Sequence, residues 1–99
     1  WASVFAKLFR ALSPGGSVWI FDMVDADMPA LHDGLWRRWA AYLENLKGAS
    51  YRDEVFAYVE REDTPRPLMY QLELLRKTGF SRVEVLHKHA LFAAFGASK

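Results

Sequence analysis

Apolar residues near the start of the chain first recur at helical spacing and then form an uninterrupted run. Over residues 2–12 they repeat every three or four positions, which predicts an amphipathic helix. Residues 13–16, Ser-Pro-Gly-Gly, must end that helix, because proline cannot continue it and glycine supplies unusual backbone angles. Residues 18–21, Val-Trp-Ile-Phe, show no polar alternation. They predict a strand buried on both faces, the inner strand of a parallel sheet.

The middle of the chain has the pattern of helices. Residues 35–47 carry one apolar stripe, and residues 51–61 form a second, more polar helical segment. A break at residues 63–67 then leads into a third helix over residues 68–77. Gly79 follows that helix at the position expected for a left-handed cap.

The end of the chain predicts a pair of strands. Residues 82–87 alternate polar and apolar side chains, which is typical of an edge strand, whereas residues 91–95 are uninterrupted and favour a central one. The connection over residues 88–90 is short enough only for an antiparallel hairpin. The expected order is therefore the inner parallel strand, then the last strand, then the edge strand.

Composition limits the classes of function. Ninety-nine residues, 52% of them hydrophobic, suit one globular domain over residues 1–99. Thirteen basic and twelve acidic residues leave a net charge of +1, which gives no electrostatic argument for nucleic acid. The apolar runs are too short to span a bilayer, so no membrane partner is predicted. The absence of cysteine excludes disulfides and fits a cytoplasmic location.

Two segments of the chain together resemble a known family. Residues 12–16 (LSPGG) lead into residues 18–22 with the form L-x-P-G-G-x-x-x-x-x-D, and residues 74–85 have the form L-L-x-x-x-G-F-x-x-V-E-V. In this order they resemble the C-terminal half of a class I S-adenosylmethionine-dependent methyltransferase. The resemblance implies an α/β fold with a partial Rossmann-like methyltransferase sheet, in which one parallel inner strand and a C-terminal antiparallel hairpin are flanked by helices. Residues 25–64 fall outside it and are interpreted as a variable helical insertion.

The cofactor fingerprint of that family is missing. It consists of a glycine-rich turn after the first strand and an acid that ends the second strand. Gly15 and Gly16 precede their strand, so they lie at the end of the sheet away from the ligand. The resemblance therefore implies S-adenosylmethionine as cofactor of a full-length parent, none for this chain alone, and a chain that is a fragment of a longer protein.

Five residues are candidates for the substrate pocket. Asp22 and Met23 follow the inner strand at its carboxyl end, where ligands bind in open α/β sheets. Asp22 could equally cap the following turn. Trp36, Trp39 and Tyr42 could form a lid over an apolar substrate, or could simply be core residues of their helix. No catalytic residue is assigned.

Metal binding is not predicted, although one acidic segment carries suitable ligands. Its members are Asp22, Asp25, Asp27, His32 and Asp33. Their spacing matches neither a calcium loop nor a two-histidine motif, so a solvated loop is the simpler interpretation. His87 and His89 lie two residues apart near the hairpin turn and are interpreted as exposed.

A second function, from a different class, is a non-catalytic binding or dimerisation module derived from the same fold. The strand from Val18 to Val24 would lack a neighbour on one side and has no proline or lysine to protect its edge. We therefore expect a homodimer that pairs through this strand. The methyl acceptor of the parent enzyme is unknown, with a small molecule favoured over a nucleic acid.

Overall fold

The computed structural model describes residues 1–62 and 64–99 as four helices and three strands. They are α1 (Ala2–Ala11), β1 (Ser17–Met23), α2 (Pro29–Lys47), α3 (Ala49–Glu62), α4 (Leu68–Thr78), β2 (Arg82–His89) and β3 (Phe92–Ser98). Asp63, the first residue of the predicted break, lies outside the described residues. None of the helices so described is both long and apolar enough to cross a membrane.

The strands form a single sheet in the predicted order, β1-β3-β2, and both pairings are antiparallel. β3 is central and β2 lies at an edge, as predicted, and a two-residue turn at Ala90 and Leu91 joins them. The prediction of a parallel inner strand is wrong for this chain. β1 lies at the second edge of the sheet, and its partner among the described residues is β3, which runs in the opposite direction.

Helices α1 and α4 cover one face of the sheet. Phe5 of α1, Leu75 of α4 and Phe95 of β3 are at most 1% exposed in the core that results. On the opposite face, Trp19 is 53% exposed and Phe21 is 73% exposed. The prediction that β1 is buried on both faces is therefore wrong, because helices cover only one face in the middle of this strand.

Trp19 nevertheless packs across the open face against its neighbour in the sheet. It lies opposite Gly96 of β3. A Cβ atom on Gly96 would clash with the Val18 carbonyl oxygen and would lie 2.9 Å from Cδ2 of the Trp19 indole. Glycine is therefore required there by the close approach of an aromatic ring and a backbone oxygen.

The Pro-Gly-Gly turn lies at the amino end of β1, away from the strand's carboxyl end. Gly15 adopts φ 81°, which favours glycine. Beside the turn, the ammonium group of Lys99 donates to the carbonyl oxygens of Phe9 at 2.8 Å and of Leu12 at 2.9 Å. Lys99 therefore caps the last turn of α1, where unpaired carbonyls and the negative end of the helix dipole attract a cation.

A smaller core lies at the carboxyl end of β1, where residues of α2 pack against the strand end and the hairpin turn. Met23 of β1, Leu35 of α2 and Leu91 of the hairpin turn are each at most 8% exposed there. α2 begins at Pro29 instead of residue 35, with proline in its first turn, where the missing N–H is not needed. The resulting helix brings its early residues close to the end of β1.

Candidate functional site

The chain leaves β1 through Val24 and Asp25, which are bonded to two other segments. The Val24 N–H donates to the carbonyl oxygen of Leu91 at 2.7 Å, and the Asp25 N–H donates to that of Arg66 at 2.9 Å. Asp25 also forms an isolated parallel bridge with Pro67. The end of β1, the hairpin turn and the segment that enters α4 therefore meet at one place.

The carboxylate of Asp25 accepts three hydrogen bonds there, all through Oδ1. The donors are Nδ1 of His32 at 2.6 Å, Nε1 of Trp36 at 2.9 Å and the backbone N–H of Ala26 at 2.7 Å. His32 and Trp36 lie four residues apart on α2, so both side chains occupy one face of the helix. We refer to Asp25 and His32 as the dyad.

The pKa of Asp25 lies below its ordinary value. Partial burial of the carboxyl group raises the pKa, but the hydrogen bonds from Trp36, His32 and Ala26, together with the charge interaction with His32, lower it by more. An ionised carboxylate can only accept a hydrogen bond, so Nδ1 of His32 carries the proton between the two groups. In the neutral imidazole, Nε2 is then the nitrogen that can accept a proton.

Four aromatic rings pack beside the dyad and form what we call the aromatic cluster. Its members are Trp36 and Trp39 of α2, Phe56 of α3 and Phe92 of β3. Trp36 meets Phe56 nearly at right angles, with ring centroids 5.7 Å apart, whereas Trp39 stacks on Phe56 at 5.3 Å. Such contacts stabilise the packing of α2 against α3 beyond simple burial.

Among the described residues, three cavities border the aromatic cluster, and two of them include the dyad or the hairpin turn. The dyad cavity, of about 360 Å³, is lined by Asp25, His32, Trp36, Phe56, Val59 and Glu60, together with residues 64–65. The hairpin cavity, of about 440 Å³, is lined by Leu35, Arg38, Trp39, Tyr42, His89 and Phe92, together with residues 90–91. Both volumes lie in the range of small-molecule sites.

The structure separates the five predicted pocket residues. Asp22 and Met23 line neither cavity: Oδ1 of Asp22 accepts the Met23 N–H at 2.7 Å, and Met23 belongs to the smaller core. Trp36 lines the dyad cavity. Trp39 and Tyr42 line the hairpin cavity, where Tyr42 is 60% exposed. Trp36 and Trp39 are thus both packed residues and cavity walls.

The five members of the acidic segment do not meet at one place among the described residues. Of its five members, Asp25 and His32 form the dyad, and within residues 1–62 and 64–99 no group of three suitable side chains could hold a metal ion. His89 lines the hairpin cavity, and His87 is exposed on β2. The dyad itself was missed by sequence reasoning. Pro29 was the available signal, since a helix that begins there places His32 one turn before Trp36.

Comparisons with known proteins give a likeness in structure but none in sequence. No known protein family matches the chain, and no curated protein matches it. Nineteen solved chains match in structure. One is the apo crystal structure of the S-adenosylmethionine-dependent methyltransferase SibL, with 18% identity and a TM-score of 0.60 over 99% of this chain. The match spans 26% of the SibL chain, so this α/β chain has the fold of about a quarter of that methyltransferase.

Proposed function

We propose that the chain is the substrate-side, C-terminal portion of an S-adenosylmethionine-dependent methyltransferase and that it is inactive without an N-terminal half. The likeness to SibL over nearly the whole chain carries the proposal, since it agrees with the two sequence segments that resemble such enzymes. The exposed edge of β1 supports it, because a further strand could pair there.

The described residues do not fit the methyl donor itself. Gly15 and Gly16 are the adjacent glycines of the chain, and both are used in structure at the amino end of β1. The Gly15 N–H donates to the Lys99 carbonyl at 3.3 Å, and the Gly16 carbonyl accepts the Lys99 N–H at 2.8 Å. We therefore derive no methyl-transfer step from this chain.

The contribution of the chain would be to bind and orient the methyl acceptor. The dyad and both cavities lie at the carboxyl end of β1, where ligands bind in open α/β sheets. A small molecule suits cavities of about 360 and 440 Å³. A cytoplasmic location belongs to the same proposal, since a chain without cysteine has no disulfide to maintain.

Cofactor binding tests this proposal directly. Isothermal titration of the chain with S-adenosylhomocysteine should show no saturable heat, because the residues that hold the nucleoside belong to the other half. Saturable binding at micromolar ligand would contradict the proposal. The coding DNA upstream of Trp1 gives an independent test: it should encode, in frame, a strand, a glycine-rich turn and an acid about 20 residues later.

A non-catalytic dimerisation module is the second candidate function. The observation that favours it is the exposed edge of β1 together with the exposure of Phe21. A second copy would pair strand to strand from Val18 to Val24 and would bring its own apolar side chains beside Phe21.

Light scattering during gel filtration tests the dimer. Phe21→Lys should shift the chain towards the monomer, because it places a charge on the pairing edge. Leu86→Lys is the matched control, since Leu86 is 64% exposed on the opposite edge strand. A wild-type chain that stays monomeric at millimolar concentration would exclude this candidate.

A further inference from the structure

The dyad cavity has polar and apolar walls: its polar lining residues are Asp25, His32, Glu60 and Thr64, and its apolar ones are Trp36, Phe56, Val59 and Pro65. His32 lies in the first turn of α2, where its own N–H donates to the Met28 carbonyl at 2.9 Å. Its side chain is 41% exposed, so a ligand can reach the ring from the cavity. The imidazole is therefore held by protein on one side and accessible on the other.

The dyad determines which nitrogen of His32 a ligand can use. Nδ1 donates to the ionised carboxylate of Asp25 at 2.6 Å, so it is not available to a ligand. Trp36 donates to the same carboxylate oxygen at 2.9 Å and so holds that oxygen in place. When the imidazole is neutral, Nε2 is the ring nitrogen left to accept a hydrogen bond from a ligand in the cavity that His32 lines.

The walls of the cavity favour a flat apolar ligand. Trp36 and Phe56 both line it, and their rings stand at 80° to each other. Val59 and Pro65 add aliphatic surface. An aromatic ligand could stack on one ring and meet the edge of the other, which is the preferred geometry of aromatic contacts.

We propose that the dyad cavity binds a hydroxylated aromatic molecule, whose hydroxyl group donates a hydrogen bond to Nε2 of His32. If the proposed function is right, this ligand is the methyl acceptor. The binding of the ligand does not depend on the proposed function; only its methylation does. His32 can also take the proton: the O–H bond breaks, its electron pair stays on oxygen, and an N–H bond forms at Nε2. Asp25 then stabilises the imidazolium, as in other carboxylate-histidine pairs.

The main competing interpretation is that the cavity binds an organic cation, and Glu60 is the residue that suggests it. Its carboxylate also lines the cavity, and with Asp25 it would favour an organic ammonium ion against the same aromatic walls. The dyad argues against this, because the hydrogen bonds to Asp25 already engage its charge. Since Glu60 is exposed, water also solvates its carboxylate.

Nuclear magnetic resonance of the chain with ¹⁵N-labelled histidine tests the proposal without any cofactor. The ligands are 2-naphthol and its methyl ether, which share a ring system and differ in the ability to donate a hydrogen bond. We expect naphthol to shift the Nε2 resonance of His32 and to bind about five- to tenfold more tightly than the ether. Equal affinities, or no binding by either ligand, would overturn the proposal, and this comparison needs no variant that might misfold.

Three variants identify the side chain that accepts the hydrogen bond from naphthol. His32→Ala should abolish the preference for naphthol, whereas His89→Ala, in the hairpin cavity, and Glu60→Gln should leave it intact. A preference that is lost in Glu60→Gln and kept in His32→Ala would overturn the role of His32. Tighter binding of naphthylmethylammonium than of naphthol would establish a cation site instead. None of these measurements uses S-adenosylhomocysteine. A failure of the ligand proposal can therefore be told apart from a failure of the proposed methyltransferase function.

Discussion

Replacing Asp25 by alanine would remove the oxygen that accepts hydrogen bonds from His32, Trp36 and the Ala26 amide. A hydrogen bond to a charged group contributes about 1.5–3 kcal/mol net to stability, but the three bonds share one oxygen and do not add fully, so we take their joint contribution as about 3 kcal/mol. The side chain of Asp25 is 19% exposed, so water can replace part of what is lost. We expect Asp25→Ala to lower the free energy of unfolding by about 2 kcal/mol.

Asp25→Asn is the matched control for this substitution. It keeps an oxygen that can accept from Trp36 and Ala26 but removes the charge that attracts His32, so the expected loss is about 1 kcal/mol. Urea unfolding followed by tryptophan fluorescence at neutral pH measures both losses. If both variants unfold with the free energy of the wild type, the three hydrogen bonds do not stabilise this end of the sheet, and the reasoning is refuted.

The same proteins test the pH dependence that the dyad implies. The pKa of Asp25 is lower in the folded chain than in the unfolded one, so between these two pKa values the folded state binds fewer protons. Its contribution to stability is complete above the unfolded pKa and is lost as the pH falls through the folded value. The difference in unfolding free energy between the wild type and Asp25→Asn should therefore shrink as the pH falls below 3.8, the ordinary pKa of aspartate. A difference that grew over that range would contradict this sign.

Three further substitutions test the packing, each by urea unfolding. Gly96→Ala should cost about 2 kcal/mol or more, because its methyl group would clash with the Trp19 indole and a backbone oxygen. Gly34→Ala is its control: it has no atoms within 4 Å of the added carbon and should stabilise α2 by up to about 1 kcal/mol. Lys99→Met should cost about 1 kcal/mol, because it removes the cap of α1. Unchanged stability in Gly96→Ala or Lys99→Met would show that the contact in question is not energetically significant.

Local signals in the sequence predicted the type and order of the elements and the antiparallel hairpin, although not all their bounds. The short connection before residue 91 leaves only an antiparallel hairpin, and β2 and β3 pair in that way. Gly79 adopts φ 125° directly after α4, as a left-handed cap requires. Each of these features depends on a few neighbouring residues, so a short stretch of sequence is enough to predict it.

The exposure of β1 could not be predicted in the same way. An unbroken apolar run is typical of a strand covered on both faces, yet Trp19 and Phe21 are exposed. The covering of a strand depends on distant elements, and in the described residues the helices α1 and α4 reach only one face of β1. The apolar pattern shows that the strand is suited to being covered on both faces. The structure shows that, among the described residues, only one face is covered along most of the strand.

The dyad was missed for a related reason. Asp25 lies in the loop before α2 and His32 lies inside α2, so no periodicity of a single element connects them. The prediction began α2 at residue 35, which left His32 outside the helix. With the observed start at Pro29, His32 and Trp36 fall on one helical face. An error of six residues in a helix boundary was therefore enough to hide the site.

Phe21 distinguishes the two candidate functions, because each predicts a different environment for it. In the monomeric chain the side chain is 73% exposed, so Phe21→Ser should change the unfolding free energy by less than about 0.5 kcal/mol. If a longer parent protein packs further elements on this face, the same substitution there should cost about 1.5–3 kcal/mol, the value of burying a phenylalanine. In a homodimer the cost would instead grow with protein concentration, since only in the associated form does the ring gain cross-strand neighbours from the second copy. A small cost in the parent would mean that its additional residues leave this face of β1 open.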